Sequence, residues 1–147
     1  MTVTIERMRW WHIAELEPIE AELFGDERWS AAMFWNELAN AHYYLVALDE
    51  GEVVGYAGLS VTGEEAWVQN IAVRKDRQRH GIGRTLLEAL LAEADRRGAR
   101  PVLLEVAIDN AKAQRLYDKY GFAPVGVRRG YYQPSNTDAL VMLREDA

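Results

Sequence analysis

The spacing of hydrophobic and polar positions changes period repeatedly along this chain, and each change marks an element. Residues 2–8 alternate Val3, Ile5 and Arg7 against Thr4, Glu6 and Met8, which predicts an edge strand. From Trp10 to Phe24 the apolar positions Ile13, Leu16, Ile19 and Leu23 recur every three or four residues, which predicts an amphipathic helix. Pro18 lies inside it and predicts a break or kink, because proline has no N–H to donate. Residues 25–28 read as a loop, and Ser30 as the N-cap of a second helix through Met33, Phe34, Glu37 and Leu38. Tyr43–Leu48 and Val53–Leu59 predict two strands around a turn at 49–52, and Ala66–Val73 a third after a turn at 62–65. Ile82, Leu86, Leu90 and Ala94 form one helical stripe that ends at Arg96-Arg97-Gly98. Pro101 introduces Val102–Ile108, an apolar run of the kind buried on both faces of a sheet. Asp109 or Asn110 caps a helix over 111–120 that Gly121 stops, and 122–128 and 139–143 close the chain as two strands around a polar loop. The order is β-α-α-β-β-β-α-β-α-β-β, an α/β fold. No repeat or linker interrupts it, so residues 1–147 are expected to form one domain.

The junction between the third of these central strands and the long helix has a chemistry of its own. It reads Val73-Arg74-Lys75-Asp76-Arg77-Gln78-Arg79-His80-Gly81-Ile82-Gly83-Arg84. The first N–H groups of a helix have no internal partner, and the helix dipole places partial positive charge there. Gly81 and Gly83 let a ligand approach the main chain, and Arg77, Arg79 and Arg84 add full charges. A phosphate or pyrophosphate is the expected ligand. The P-loop spacing and its lysine are absent, and Leu86 stands where a dinucleotide fingerprint needs its third glycine or alanine. A solvated basic turn is the plainer alternative.

Charge divides the chain. The net charge is −6, yet residues 1–65 carry 13 acidic and 3 basic side chains, while residues 66–147 carry 10 acidic and 14 basic. If the basic part holds a polyphosphate, the acidic part is suited to steer a cationic second substrate. The basic cluster is short and has no interleaved aromatics, which argues against nucleic-acid binding. There is no cysteine, so no disulfide or thiolate nucleophile, a composition that suits the cytoplasm. No run approaches the roughly 20 apolar residues of a membrane span. His12, His42 and His80 lack ligand spacing, so no metal is expected. A Gly-x-Ser-x-Gly elbow is absent too, which favours direct transfer over a covalent intermediate.

Glu105 interrupts the apolar run Leu103-Leu104-Glu105-Val106-Ala107. A carboxylate there is costly to desolvate unless it faces a cavity or a partner, which marks it as a candidate base or as one half of an ion pair with an arginine. Tyr117 and Asn110 read first as core filling and as a helix cap. Five tryptophans are many for this length, and packing is the plain explanation; Trp29, in Asp26-Glu27-Arg28-Trp29-Ser30, is also placed to line a pocket beside acidic groups.

These residues converge on one family. Gln78-x-x-Gly81-x-Gly83 resembles the pyrophosphate loop of the GCN5-related N-acetyltransferases (GNAT), and the element order matches that fold across the chain. Leu104-Glu105-Val106 followed by Asn110-x-x-Ala113-x-x-Leu116-Tyr117-x-x-x-Gly121-Phe122 resembles the family's second signature. Arg128-Arg129-Gly130-Tyr131-Tyr132, Asp138–Met142 and Phe24 with Trp29-Ser30 resemble the RimI-type ribosomal-protein alanine N-acetyltransferase branch. The resemblance implies a mixed, mostly antiparallel sheet with splayed strands flanked by four helices, and acetyl transfer from acetyl-coenzyme A to a protein N-terminal amine. It implies Glu105 as the base, acting through water, and Tyr117 as the acid that protonates the leaving thiolate. It implies main-chain contacts to the cofactor from Ile71, Ala72 and Val73, a pyrophosphate cradle from Gln78, Arg79, His80, Gly81, Ile82, Gly83 and Arg84, and support from Asn110. Trp29, Tyr131 and Tyr132 would face the acceptor, typically the N-terminal alanine of small-subunit ribosomal protein eighteen. The resemblance also admits weak partners in the tRNA threonylcarbamoylation machinery. His12 and Gly130 depart from the residues usual in that branch. Lysine side chains, small amines, or a silent coenzyme A-binding module are the competing readings.

Overall fold

A computed structural model describes residues 2–145 of the chain. Its elements are β1 (Val3–Arg7), α1 (Ile13–Phe24), α2 (Ala31–Ala39), β2 (Tyr43–Asp49), β3 (Glu52–Thr62), β4 (Glu65–Val73), α3 (Ile82–Arg96), β5 (Val102–Ala107), α4 (Ala111–Lys119), β6 (Ala123–Tyr132) and β7 (Thr137–Arg144). Single 3₁₀ turns stand at Trp10–His12, Gly25–Glu27 and Lys75–Arg77. The seven strands form one sheet in the order β1-β2-β3-β4-β5-β7-β6. Every neighbouring pair is antiparallel except β4–β5, which are joined by the α3 crossover that a parallel pair requires.

Two-residue alternation along β2 assigns the helices to faces. Tyr44, Val46 and Leu48 pack with Ile13, Leu16 and Ile19 of α1 and Phe34 of α2. Leu45 and Ala47 point the other way and join Leu86, Leu87 and Leu90 of α3 and Tyr117 of α4. On β3, Gly58 is required by a neighbour: a Cβ there would lie 2.1 Å from the Tyr44 ring. That ring crosses the strand so that its hydroxyl meets the Asn70 side chain on β4 and Glu37 on α2, the latter at 3.1 Å.

Four expectations are corrected. Pro18 does not break its helix: α1 runs through it, and both Pro18 and Ala14, whose carbonyl loses its donor, lie on the exposed side where water can substitute. The apolar run of β5 is not buried on both faces. Val102, Leu104 and Val106 are buried, while Leu103, Glu105 and Ala107 are half-buried, because the core under α1 and α2 draws on β2, β3 and β4 but on no residue of β5. Trp10, Trp11 and Trp35 are not core residues but about half exposed, and at the surface Trp10 stacks on Trp35 and meets Trp11 edge to face. Tyr131 and Tyr132 end strand β6 rather than sitting in a loop, with Tyr132 paired to Thr137. His12 has a local structural role: its Nδ1 accepts the Arg9 N–H at 2.9 Å, a capping bond.

Candidate active site

The site begins where two strands part. β4 and β5 share only the pairs Ala66↔Val102 and Trp67↔Leu103. In the β3–β4 ladder the register shifts between Gly58↔Asn70 and Leu59↔Val68, so Gln69 is an extra residue that bends β4 at the point of divergence. Beyond it β5 follows β7, and a cavity of about 730 Å³ opens between the strands, walled by Asn70 and Ile71 of β4, Glu105 of β5, and Ala113 and Tyr117 of α4. Strand parity decides which β4 groups face it. Arg74 N–H donates to the Val54 carbonyl at 2.9 Å. Alternation then turns the main chain of Ala72 toward β3 and those of Ile71 and Val73 toward the open side. Ala72 therefore offers a wall rather than a main-chain hydrogen bond. The Val73 carbonyl is already taken, by Gln78 Nε2 at 3.0 Å, which folds the following loop back on the strand.

That loop is shaped by left-handed residues. Gly81, the N-cap of α3, has φ +78°, and Arg79 has φ +69°. Left-handed residues in a short loop turn successive N–H groups toward a common anion. The Gly81 carbonyl accepts from the Thr85 N–H at 3.0 Å and its hydroxyl at 2.9 Å. The N–H groups of Ile82, Gly83 and Arg84 precede that first helical bond and stay available. Gly83 is packed with room to spare, a Cβ there meeting Val73 Cγ2 at 3.6 Å, so packing alone does not demand glycine. Arg79, His80 and Arg84 are exposed around the loop. Arg77 is committed elsewhere, 3.4 Å from Asp49.

A second cavity, of about 630 Å³, shares Glu105, Trp29 and Tyr132 with the first and adds Trp67, Arg128 and Tyr131. Glu105 thus faces both. Its side chain is 14% exposed, and its Oε2 lies 2.9 Å from Arg128 Nε. The contact is electrostatic rather than a formed hydrogen bond, since Oε2 is buried and receives no aligned donor. Tyr117 is buried against Phe122, with ring centroids 5.9 Å apart. Burial, followed by the nearby Tyr132, pushes its hydroxyl well above the ordinary tyrosine range. Burial likewise raises Tyr132 to about 12, with Tyr131, Glu105 and Glu27 adding to the shift. Asn110 caps α4, its Oδ1 accepting the Ala113 N–H at 3.2 Å, while also lining the first cavity.

Three participants went unrecognised in the sequence. Glu20 is buried and accepts from the Trp29 N–H at 2.7 Å and from the Tyr56 hydroxyl at 2.5 Å, which fixes Trp29 over the cleft. Burial raises its carboxyl above the usual range, against the lowering effect of those two bonds. Glu27 accepts from the Ser135 N–H at 3.2 Å and from its hydroxyl, tying the α1–α2 connection to the β6–β7 hairpin across the opening. Arg128 was visible only as part of a motif, not as a partner of Glu105. A carboxylate at a buried helical position, as Glu20 is, was the one usable signal. Among the described residues no cluster of three or more His, Asp or Glu side chains is arranged to hold a metal.

The arrangement offers a long ligand main-chain hydrogen bonds along β4 and an anion cradle at α3, and it offers a second ligand a separate mouth that meets the first at Glu105. Residues 5–122 match the acetyltransferase (GNAT) family model. N-alpha-acetyltransferase RimI of Mycobacterium tuberculosis is 46% identical over 133 residues, which span 86% of this chain and 82% of that protein. The ribosomal protein bS18-alanine N-acetyltransferase of Escherichia coli is 36% identical over 116 residues, 78% of each chain. The crystal structure of the Escherichia coli ribosomal-protein-S18-alanine N-acetyltransferase matches with a TM-score of 0.90 at 32% identity, covering 98% of this chain and 94% of that one. The splayed sheet, the glycine cradle and the match over most of the chain lead to one conclusion: this protein belongs to the GNAT family of acetyltransferases, whose acetyl donor is acetyl-coenzyme A.

Proposed function

We propose that the protein is an N-alpha-acetyltransferase that moves the acetyl group of acetyl-coenzyme A directly to a protein N-terminal amine, with the N-terminal alanine of ribosomal protein bS18 as its acceptor. The observation that carries this reading is that Glu105 faces both cavities, so one carboxylate can serve an amine entering from the mouth and an acetyl group held along β4. The acceptor's identity is drawn from the relatives at 36% and 46% identity.

In this reading the main chain at Ile71 and Val73 holds the pantetheine arm and offers a donor to the thioester oxygen, Ala72 forms its wall, and residues 78–84 bind the pyrophosphate. Asn110 supports the cofactor by fixing the start of α4 beside it. Trp29, Tyr131 and Tyr132 line the path of the acceptor. Glu105 takes a proton from the incoming ammonium through a water. The freed amine attacks the acetyl carbon. As the tetrahedral adduct collapses the C–S bond breaks, Tyr117 passes its proton to the leaving sulfur, and the second proton of the attacking nitrogen leaves through water, restoring the Tyr117 hydroxyl. The raised Tyr117 hydroxyl keeps that proton at any working pH.

We place the reaction in the cytoplasm, where the ribosomal acceptor is made; no helix among the described residues is long and apolar enough to cross a membrane. Weak association with the tRNA threonylcarbamoylation machinery, which rests on the family resemblance alone, belongs to the same proposal, and co-elution on gel filtration tests it. Thiol release with an Ala-Arg-Tyr-starting peptide, compared with an N-blocked internal-lysine peptide and spermidine, tests the main claim. Turnover is expected with the first alone. Preference for lysine or spermidine would move the protein to another acceptor class, and release with none would leave a coenzyme A-binding module.

A further inference from the structure

The mouth that the acceptor would enter already contains a cation. Arg128 lies on β6 with its Nε 2.9 Å from Glu105 Oε2. Its guanidinium carbon stands 5.9 Å from the Trp67 ring centroid and 5.7 Å from that of Tyr131. Two aromatic faces and a carboxylate make a site for a positively charged group. The backbone is adapted to build it. The β6–β7 register shifts between Arg128↔Ala139 and Tyr132↔Thr137, and Gly130 within that stretch has φ +60°. The irregularity lets Arg128 and Tyr131, three residues apart, line the same cavity, whereas regular alternation would send them to opposite faces.

Three features bear on whether Arg128 holds this position permanently. Its side chain is 53% exposed, while Glu105 is 14% exposed. The buried Glu105 Oε2 receives no aligned hydrogen bond despite the short contact, so its lone pairs remain open to a better donor. A guanidinium keeps its proton throughout the working pH range, so Arg128 cannot supply the proton that Glu105 is there to take.

We propose that Arg128 is a built-in stand-in for the acceptor's ammonium: it supplies the counter-charge of Glu105 in the free enzyme and swings into solvent when the amine enters. Acceptor binding is then an exchange of one cation for another between Trp67, Tyr131 and Glu105. This rests on the reading above, in which the amine arrives beside Glu105, but it can be tested without any acceptor.

The test is thermal stabilisation by methylguanidinium, measured on the whole protein at constant ionic strength. Arg128→Met vacates the cation position and should be stabilised by methylguanidinium, saturably, while the parent is not. Arg128→Lys keeps a cation and should stay as insensitive as the parent. Adding Glu105→Gln to Arg128→Met should abolish the response. With the N-terminal peptide as acceptor, Arg128→Met should lower its KM by about fivefold, the scale of one partly exposed ion pair, and methylguanidinium should then inhibit competitively with the peptide. No stabilisation of Arg128→Met beyond the parent, or equal stabilisation of Arg128→Lys, would overturn the stand-in. A saturable methylguanidinium site in a protein that acetylates no N-terminal peptide would instead leave an exchangeable cation site at Glu105 and remove the acceptor reading.

Discussion

The two sides of the cleft are made of different material. In the proposed reading, the cofactor side offers main-chain groups: the open edge of β4 at Ile71 and Val73, and the N–H groups that begin α3 behind Gly81. The cavity proposed for the acceptor is lined instead by side chains from distant segments, Glu105 of β5, Arg128 and Tyr131 of β6, Trp67 of β4 and Trp29 of the α1–α2 connection. Main-chain groups tolerate most substitutions and recognise what every member of a cofactor class shares. Side chains can be exchanged one at a time, so acceptor preference can change while the cofactor stays the same.

Substitutions on the two sides should therefore fail differently. The largest effect is expected from Glu105→Gln, which should lower kcat by about 10²–10⁴-fold and leave acetyl-coenzyme A affinity intact; an unaltered rate would remove Glu105 from the chemistry. Tyr117→Phe should cost roughly 10²-fold. Because burial raises that hydroxyl, the loss should be uniform across neutral and mildly alkaline pH rather than appear as a limb of the profile. Full activity would return Tyr117 to packing against Phe122. On the cofactor side, Gly81→Val forces a β-branched residue to φ +78°. That costs about 1–2 kcal/mol, or roughly 5- to 30-fold in acetyl-coenzyme A affinity, with the peptide's KM unmoved. Equal affinity in a binding titration would contradict the cradle.

The smallest effect is on stability. Burial raises the Glu20 carboxyl above its ordinary 4.5 in the folded protein. The folded state thus holds that proton more tightly than the unfolded chain, and the group's contribution, full below about pH 4.5, is lost as pH rises through the folded value. Glu20→Gln keeps an oxygen for the Trp29 N–H and cannot ionise. Its urea midpoint should gain on the parent's between pH 4 and pH 8, and a growing deficit instead would show that the two hydrogen bonds to the carboxylate outweigh burial.

The same division of material explains what could be read from the sequence. The order of elements and the cradle were legible because periodicity and the glycines at 81 and 83 are local, contiguous signals. Glu105 was legible as a carboxylate in an apolar run, though not that it would face two cavities, because one strand's sequence does not show which face the helices leave bare. Arg128 and Glu105 are 23 positions apart in the chain and meet only because β7 lies between their strands. Glu27 and Ser135 meet across most of the chain's length, and no local pattern announces such a tie. Pro18 misled for a related reason: its cost depends on whether Ala14 faces water, which belongs to the tertiary structure.

The central claim, that this cleft joins acetyl-coenzyme A to an N-terminal amine at Glu105, is tested most directly by mapping where the acetyl group lands. A peptide that begins with alanine and carries an internal lysine would be incubated with the protein and acetyl-coenzyme A, and the modified position read by fragment mass spectrometry. Acetyl on the α-amine alone, absent with Glu105→Gln, is the result predicted. Acetyl on the lysine, or equal modification by the Glu105→Gln variant, would contradict it.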